Sequence, residues 1–185
     1  MAHQPHNLEQ PILNITGEKV ALGPPSRDLI PLSLKWLNDF EVTHPMGMHF
    51  QTRTREAVET GYENYGQGGS DYVDFIIYEW TTMRPIGLTN LLQINYQDRT
   101  ALYAIRIGEK ECWGKGYGTE TTKLVLDYGF TGLGLHNIWL SVLASTIVPF
   151  APISEPASKK SVAGRGSIRK SSIRCHLYGL SRNRI

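Results

Sequence analysis

Cysteine is scarce in this chain of 185 residues, with only Cys112 and Cys175 present. Two cysteines cannot form a disulfide framework, and neither has a second ligand at metal-binding spacing, so a reducing compartment is expected. Long apolar runs are also missing. No stretch reaches the roughly 20 apolar residues that a membrane helix needs. The opening Met1, Ala2, His3, Gln4, Pro5, His6 has neither the basic start nor the apolar core of a signal peptide. These absences point to a cytoplasmic protein without a membrane partner. Acid is lacking at one end: residues 146–185 carry eight Lys and Arg against Glu155 alone, whereas residues 1–145 carry eleven against sixteen Asp and Glu. The formal charge of +2 therefore hides an acidic body and a basic tail. The length suits one domain with a real core.

What the chain does have is a glycine loop. A strand-like run, Thr100 to Ile107, is followed by Trp113, Gly114, Lys115, Gly116, Tyr117, Gly118 and Thr119, which open into an amphipathic helix read over Thr119 to Phe130. Alternate glycines let backbone approach a ligand without Cβ collisions, and the first-turn N–H groups of the helix point at an anion. Two familiar loops are excluded. The nucleoside-triphosphate loop requires Lys followed by Ser or Thr after its last glycine, and the dinucleotide fingerprint requires G-x-G-x-x-G, whereas this spacing is G-x-G-x-G.

The loop resembles the pyrophosphate loop [QR]-x-x-G-x-[GA] of the GNAT family of acetyl-CoA-dependent N-acetyltransferases, with Trp113 in place of Gln or Arg and Gly116-Tyr117-Gly118 following. Trp36, Leu37, Asn38, Asp39, Phe40, Glu41 and Val42 resemble the W-x-N-D-x-E-V of the branch that acetylates ribosomal-protein N-termini, polyamines and aminoglycosides, and Leu126 to Phe130 extends the likeness. The resemblance implies a mixed, mostly antiparallel α/β sheet flanked by helices, the acyl-CoA N-acyltransferase fold. It also implies acetyl-CoA as cosubstrate and an acceptor that is a small-molecule or protein N-terminal amine. A homodimer is compatible with it.

The pattern along the chain agrees with that order. Residues 1–17 read as a flexible arm and residues 18–145 as the acetyltransferase domain. A strand is expected at Lys19 to Leu22, a helix from the Ser26 cap to about Asn38, and a second helix at Thr54 to Tyr65. Strands follow at Tyr72 to Trp80, Ile86 to Asn95 and Thr100 to Ile107, and a last one at His136 to Leu143.

After Ser145 the family pattern N-x-R-A-x-x-x-Y-x-[KR]-x-G-F stops, and Pro149, Pro152 and Pro156 exclude the expected helix. Permitted codons for Thr146 to Gly164, read from the third base, spell N-R-A-I-R-A-Y-Q-R-A-G-F-K-E-V-G-R. That hidden match points to a frameshift near Ser145, which makes residues 146–185 an aberrant, disordered tail. Its charge then carries no message about nucleic acid or membranes.

Acetyl transfer to an amine needs a held acyl carrier, a neutral amine, a donor for the oxyanion and a proton for the departing thiolate. The resemblance assigns the carrier to Trp113, Gly114, Lys115, Gly116, Tyr117, Gly118 and Thr119. It assigns the oxyanion and pantetheine contacts to the backbone of Ile105, Arg106 and Ile107, where a splay frees the strand's polar groups. An ammonium with a pKa of about 10 requires a base, and Glu109 and Glu111 are the candidates by location. Each is also explained by a solvated charged corner. The family's proton donor, a tyrosine of the fourth helix, exists here only in the shifted frame, which leaves a CoA-binding protein of impaired catalysis as the alternative.

Overall fold

Apolar runs separated by short turns let each strand pair with the one before it. The computed structural model, which describes residues 11–44, 51–65, 71–143 and 170–176, has one sheet whose seven strands lie in chain order. They are β1 (Ile15–Thr16), β2 (Val20–Gly23), β3 (Val73–Glu79), β4 (Pro85–Asn95), β5 (Thr100–Ile107), β6 (Asn137–Leu143) and β7 (Lys170–His176). All neighbours are antiparallel except β5 and β6, which run parallel. A parallel pair requires a long crossover, and α4 (Tyr117–Asp127) supplies it. The other α-helices among the described residues are α1 (Ile30–Leu37), α2 (Phe40–Thr43) and α3 (Arg55–Tyr65), all between β2 and β3.

The alternation of side chains along the strands divides the core between two faces. On one, Leu22, Phe75, Ile77, Leu91 and Tyr103 meet Val125 and Leu126 of α4. Fully buried Val125 contributes about 1.5 to 3 kcal/mol there. On the other, Ala21, Ile76 and Tyr78 pack with Leu29 and Leu88. Ser26 caps the turn that leads into α1, its Oγ accepting from the Asp28 N–H, and the Thr54 hydroxyl accepts from Ala57 at the start of α3.

The mixed α/β sheet and the element order agree with the sequence reading, and four details differ. Ile15 and Thr16, read as part of the 1–17 arm, pair with Leu22 and Ala21, because an edge partner satisfies β2's backbone. Asp39 accepts from the Glu41 N–H and starts the short α2, which has no period long enough to read. Helix α4 begins at Tyr117 rather than Thr119, since Gly116 takes a left-handed cap and the chain turns helical at once. Within the tail, Lys170–His176 pairs along the whole of β6, so an edge that would otherwise be open is closed. Residues 1–10, 144–169 and 177–185, which include the rest of the arm and tail, lie outside the described residues.

Candidate functional site

Strands β5 and β6 part company in the middle of the sheet. Their pairing runs from Thr100↔Asn137 to Tyr103↔Leu140 and stops. Beyond it β5 stays with β4 as far as Ile107, while β6 continues with β7 to Leu143. Among the described residues, β6 therefore does not pair with the backbone from Ala104 to Ile107. These residues are half-buried, and a parted pair of strands leaves room for an extended ligand with amide groups of its own.

The glycine loop closes over the same segment. Gly114 and Gly116 have φ of +73° and +86°, the left-handed region in which a side chain is strained. Gly118 lies in the first turn of α4, where a Cβ would sit 3.8 Å from Ile107 and 4.0 Å from Ile105. Trp113 turns back, its Nε1–H donating to the Ile107 carbonyl at 2.9 Å. Below it the Tyr103 hydroxyl bonds Thr122 Oγ1 at 2.9 Å, and Thr122 in turn donates to the Gly118 carbonyl at 2.8 Å. Burial pushes the Tyr103 phenol up to about 12, so it stays protonated and can serve as the donor to Thr122. That chain of bonds locks the helix start onto β5. Of the residues assigned from sequence, Ile105, Arg106, Ile107 and Trp113 to Thr119 are thus brought around one place.

The loop is braced from two sides by groups absent from the sequence reading. Glu120, in the first turn of α4, accepts from the backbone N–H of Glu18 at 2.6 Å and of Lys19 at 2.9 Å. Tyr117 donates to Glu79 at 2.5 Å, a bond that lowers the carboxyl's pKa and raises the phenol's. Lys19 Nζ reaches the Lys115 carbonyl at 3.4 Å and would lie 3.3 Å from a Cβ at Gly116. Its ammonium adds to Lys115 and the helix dipole as a third positive element. Lys19→Gln is expected to weaken binding of CoA about three- to tenfold and to flatten its salt dependence, which calorimetry at two ionic strengths would measure.

The two carboxylates read as base candidates have other occupations. Glu109 is buried and accepts from Lys35 Nζ at 2.9 and 3.1 Å and from Trp36 Nε1 at 2.8 Å, so both its oxygens are committed. Exposed Glu111 pairs with Arg84 at 2.8 Å, and its own backbone N–H and that guanidinium hold its pKa below the usual range. Both carboxylates are thus engaged by neighbouring donors. The structure instead makes Glu109 the anchor between the Trp36 motif and the end of β5.

A family model described as an acetyltransferase (GNAT) domain matches residues 19–145. The chain belongs to the GNAT acetyltransferase family. Among curated relatives, the GNAT chain is 45% identical over 56 residues to spermidine N(1)-acetyltransferase of Escherichia coli (strain K12), a match covering 30% of each protein. It is 46% identical over 57 residues to the Vibrio cholerae enzyme of that name, covering 31% of this chain and 32% of the relative. The chain thus spans only about a third of the curated relatives it matches. A solved spermidine N-acetyltransferase from Vibrio cholerae, in complex with CoA and spermine, superposes with a TM-score of 0.63 at 25% identity, over 69% of this chain and 73% of that one. A domain from Methanocaldococcus jannaschii shares the fold alone, with a TM-score of 0.60 at 20% identity.

Proposed function

We propose that this protein is an N-acetyltransferase that moves acetyl from acetyl-CoA to a primary amine. The observation that carries the reading is the parting of β5 from β6 after Tyr103, directly beneath a glycine loop that opens α4. The loop's N–H groups, Lys115 and Lys19 would hold the pyrophosphate, and the backbone of Ala104 to Ile107, beside the gap left by β6, would hold the pantetheine arm and donate to the developing oxyanion. Acetyl-CoA would supply the thioester. The neutral amine nitrogen would bond to its carbonyl carbon, the C–S bond of the resulting oxyanion would then break, and the proton that the nitrogen gives up balances the one that the departing sulfur takes.

The names of the relatives support an amine acceptor and, within that class, a polyamine such as spermidine. A protein N-terminus and an aminoglycoside are the other acceptors the motifs imply. With acetyl-CoA and a panel of these amines, thiol release that depends on the amine is the expected result; CoA that fails to bind would end the reading. A second reading, CoA binding without turnover, is favoured by the sequence after Ser145, which lacks the family's tyrosine pattern in its own frame. It predicts calorimetric binding of CoA with no thiol release from any amine.

A further inference from the structure

Glu120 stands where charge alone would not put it. It lies in the first turn of α4, its N–H bonded to the Gly116 carbonyl at 3.1 Å, at the positive end of the helix that would meet the ligand's phosphates. A carboxylate aimed at the same place would repel them. It is turned aside instead: Oε1 accepts from the Glu18 N–H at 2.6 Å and Oε2 from the Lys19 N–H at 2.9 Å, both in the turn between β1 and β2. That approach requires a glycine at position 17. A Cβ there would lie 2.6 Å from Glu120 Oε1 and 3.1 Å from Leu124 Cδ1.

The same bonds fix the place of Lys19. Its N–H is held by Glu120, its carbonyl accepts from the Trp80 N–H at 2.9 Å, and the Gly17 N–H closes the turn on the Val20 carbonyl at 2.8 Å. With its backbone held on both sides, the exposed Lys19 side chain extends to the glycine loop and places Nζ 3.4 Å from the Lys115 carbonyl. A lysine has much rotamer freedom to lose, so anchoring its backbone beside the loop lowers what a ligand must offset to engage it.

We propose that Glu120 is a positioning residue for the acyl carrier, a bracket that carries the Lys19 ammonium to the pyrophosphate loop. This role rests on the acetyl-transfer reading. It also reverses the sign that simple electrostatics gives: loss of a negative group beside a polyanion should tighten binding, whereas loss of the bracket weakens it.

The test is calorimetric titration of the full chain with CoA. Glu120→Ala is expected to weaken binding about threefold or more, and Glu120→Gln, which keeps one acceptor, to fall between Ala and the parent. Gly17→Ala displaces the carboxylate while leaving its charge in place, and it should weaken CoA as Glu120→Ala does, so the outcome does not hang on the folding of one variant. In a Lys19→Gln background, Glu120→Ala should bring no further weakening, because the bracket then has nothing to carry. In the protein without CoA, amide hydrogen exchange at Glu18 and Lys19 should be faster in Glu120→Ala than in the parent. Unchanged or tighter binding in Glu120→Ala, the same weakening with and without Lys19, or unchanged exchange would each overturn the bracket. A parent chain that does not bind CoA would strike the acetyl-transfer reading itself and the bracket with it, whereas a parent that binds and variants that match it would strike the bracket alone.

Discussion

Gly116→Val is expected to lower affinity for CoA about tenfold or more while leaving the sheet folded. Position 116 has a φ of +86°, and a β-branched side chain held there costs about 1 to 2 kcal/mol or more. The new Cβ would also lie 3.3 Å from Lys19 Nζ, so the ammonium must give way. The chain can relieve both only by rotating the peptide before Tyr117, which turns the first N–H groups of α4 away from the anion they would meet. A tenfold loss corresponds to about 1.4 kcal/mol of binding free energy, within what that strain supplies. Gly118→Ala adds a Cβ to the same loop without that strain. Its Cβ would make ordinary contacts at 3.8 and 4.0 Å inside a helix, where Ala is favoured over Gly by about 0.5 to 1 kcal/mol. Calorimetry of CoA with both variants checks the contrast. If Gly116→Val binds as the parent does, the loop is an ordinary turn and not a phosphate cradle.

Glu109→Ala is expected to cost about 2 to 3 kcal/mol of stability, or roughly 5 to 10 °C in melting temperature for a chain of this size. Trp36 is 1% exposed, and its Nε1–H would be left without an acceptor in a place water does not reach. Lys35 adds little to that figure, because its side chain is 62% exposed and largely screened. The indole also lies flat against the backbone of Gly108, where a Cβ would come within 2.2 Å of its ring, so movement of Trp36 disturbs the end of β5 directly. Glu109→Gln keeps an oxygen for the indole and should lose about half as much. Thermal melts combined with acetyl-transfer rates separate an anchor from a base. An anchor predicts that Gln remains active and Ala unfolds early; a base predicts that both melt near the parent and neither turns over.

Several parts of the site were legible because their physics is local. Trp113 to Thr119 announces itself by alternate glycines before a helical period, and Thr100 to Ile107 by its strand composition. The reading erred by two residues at the start of α4, since a left-handed Gly116 ends the loop sooner than propensity indicates. Strand β1 went unread because two residues carry no periodicity. Lys170–His176 alternates Ile173 and Cys175 with polar neighbours, a strand pattern that the frame argument set aside. Trp36 was recognised as part of a motif, yet its partner lies 73 residues away and nothing near it in the chain points there.

By itself, residue order determined the family, the sheet's sequence of elements and the glycine loop that opens α4. These depend on turns, periods and glycine conformations, each decided within a few neighbouring residues. Only the tertiary structure decided what each carboxylate holds. Glu109 is committed to Trp36 and Lys35, Glu111 to Arg84, and Glu120 to the turn at Glu18 and Lys19. Those assignments depend on strand register and helix packing, which bring together groups distant in sequence and set the burial that governs what each charge can do.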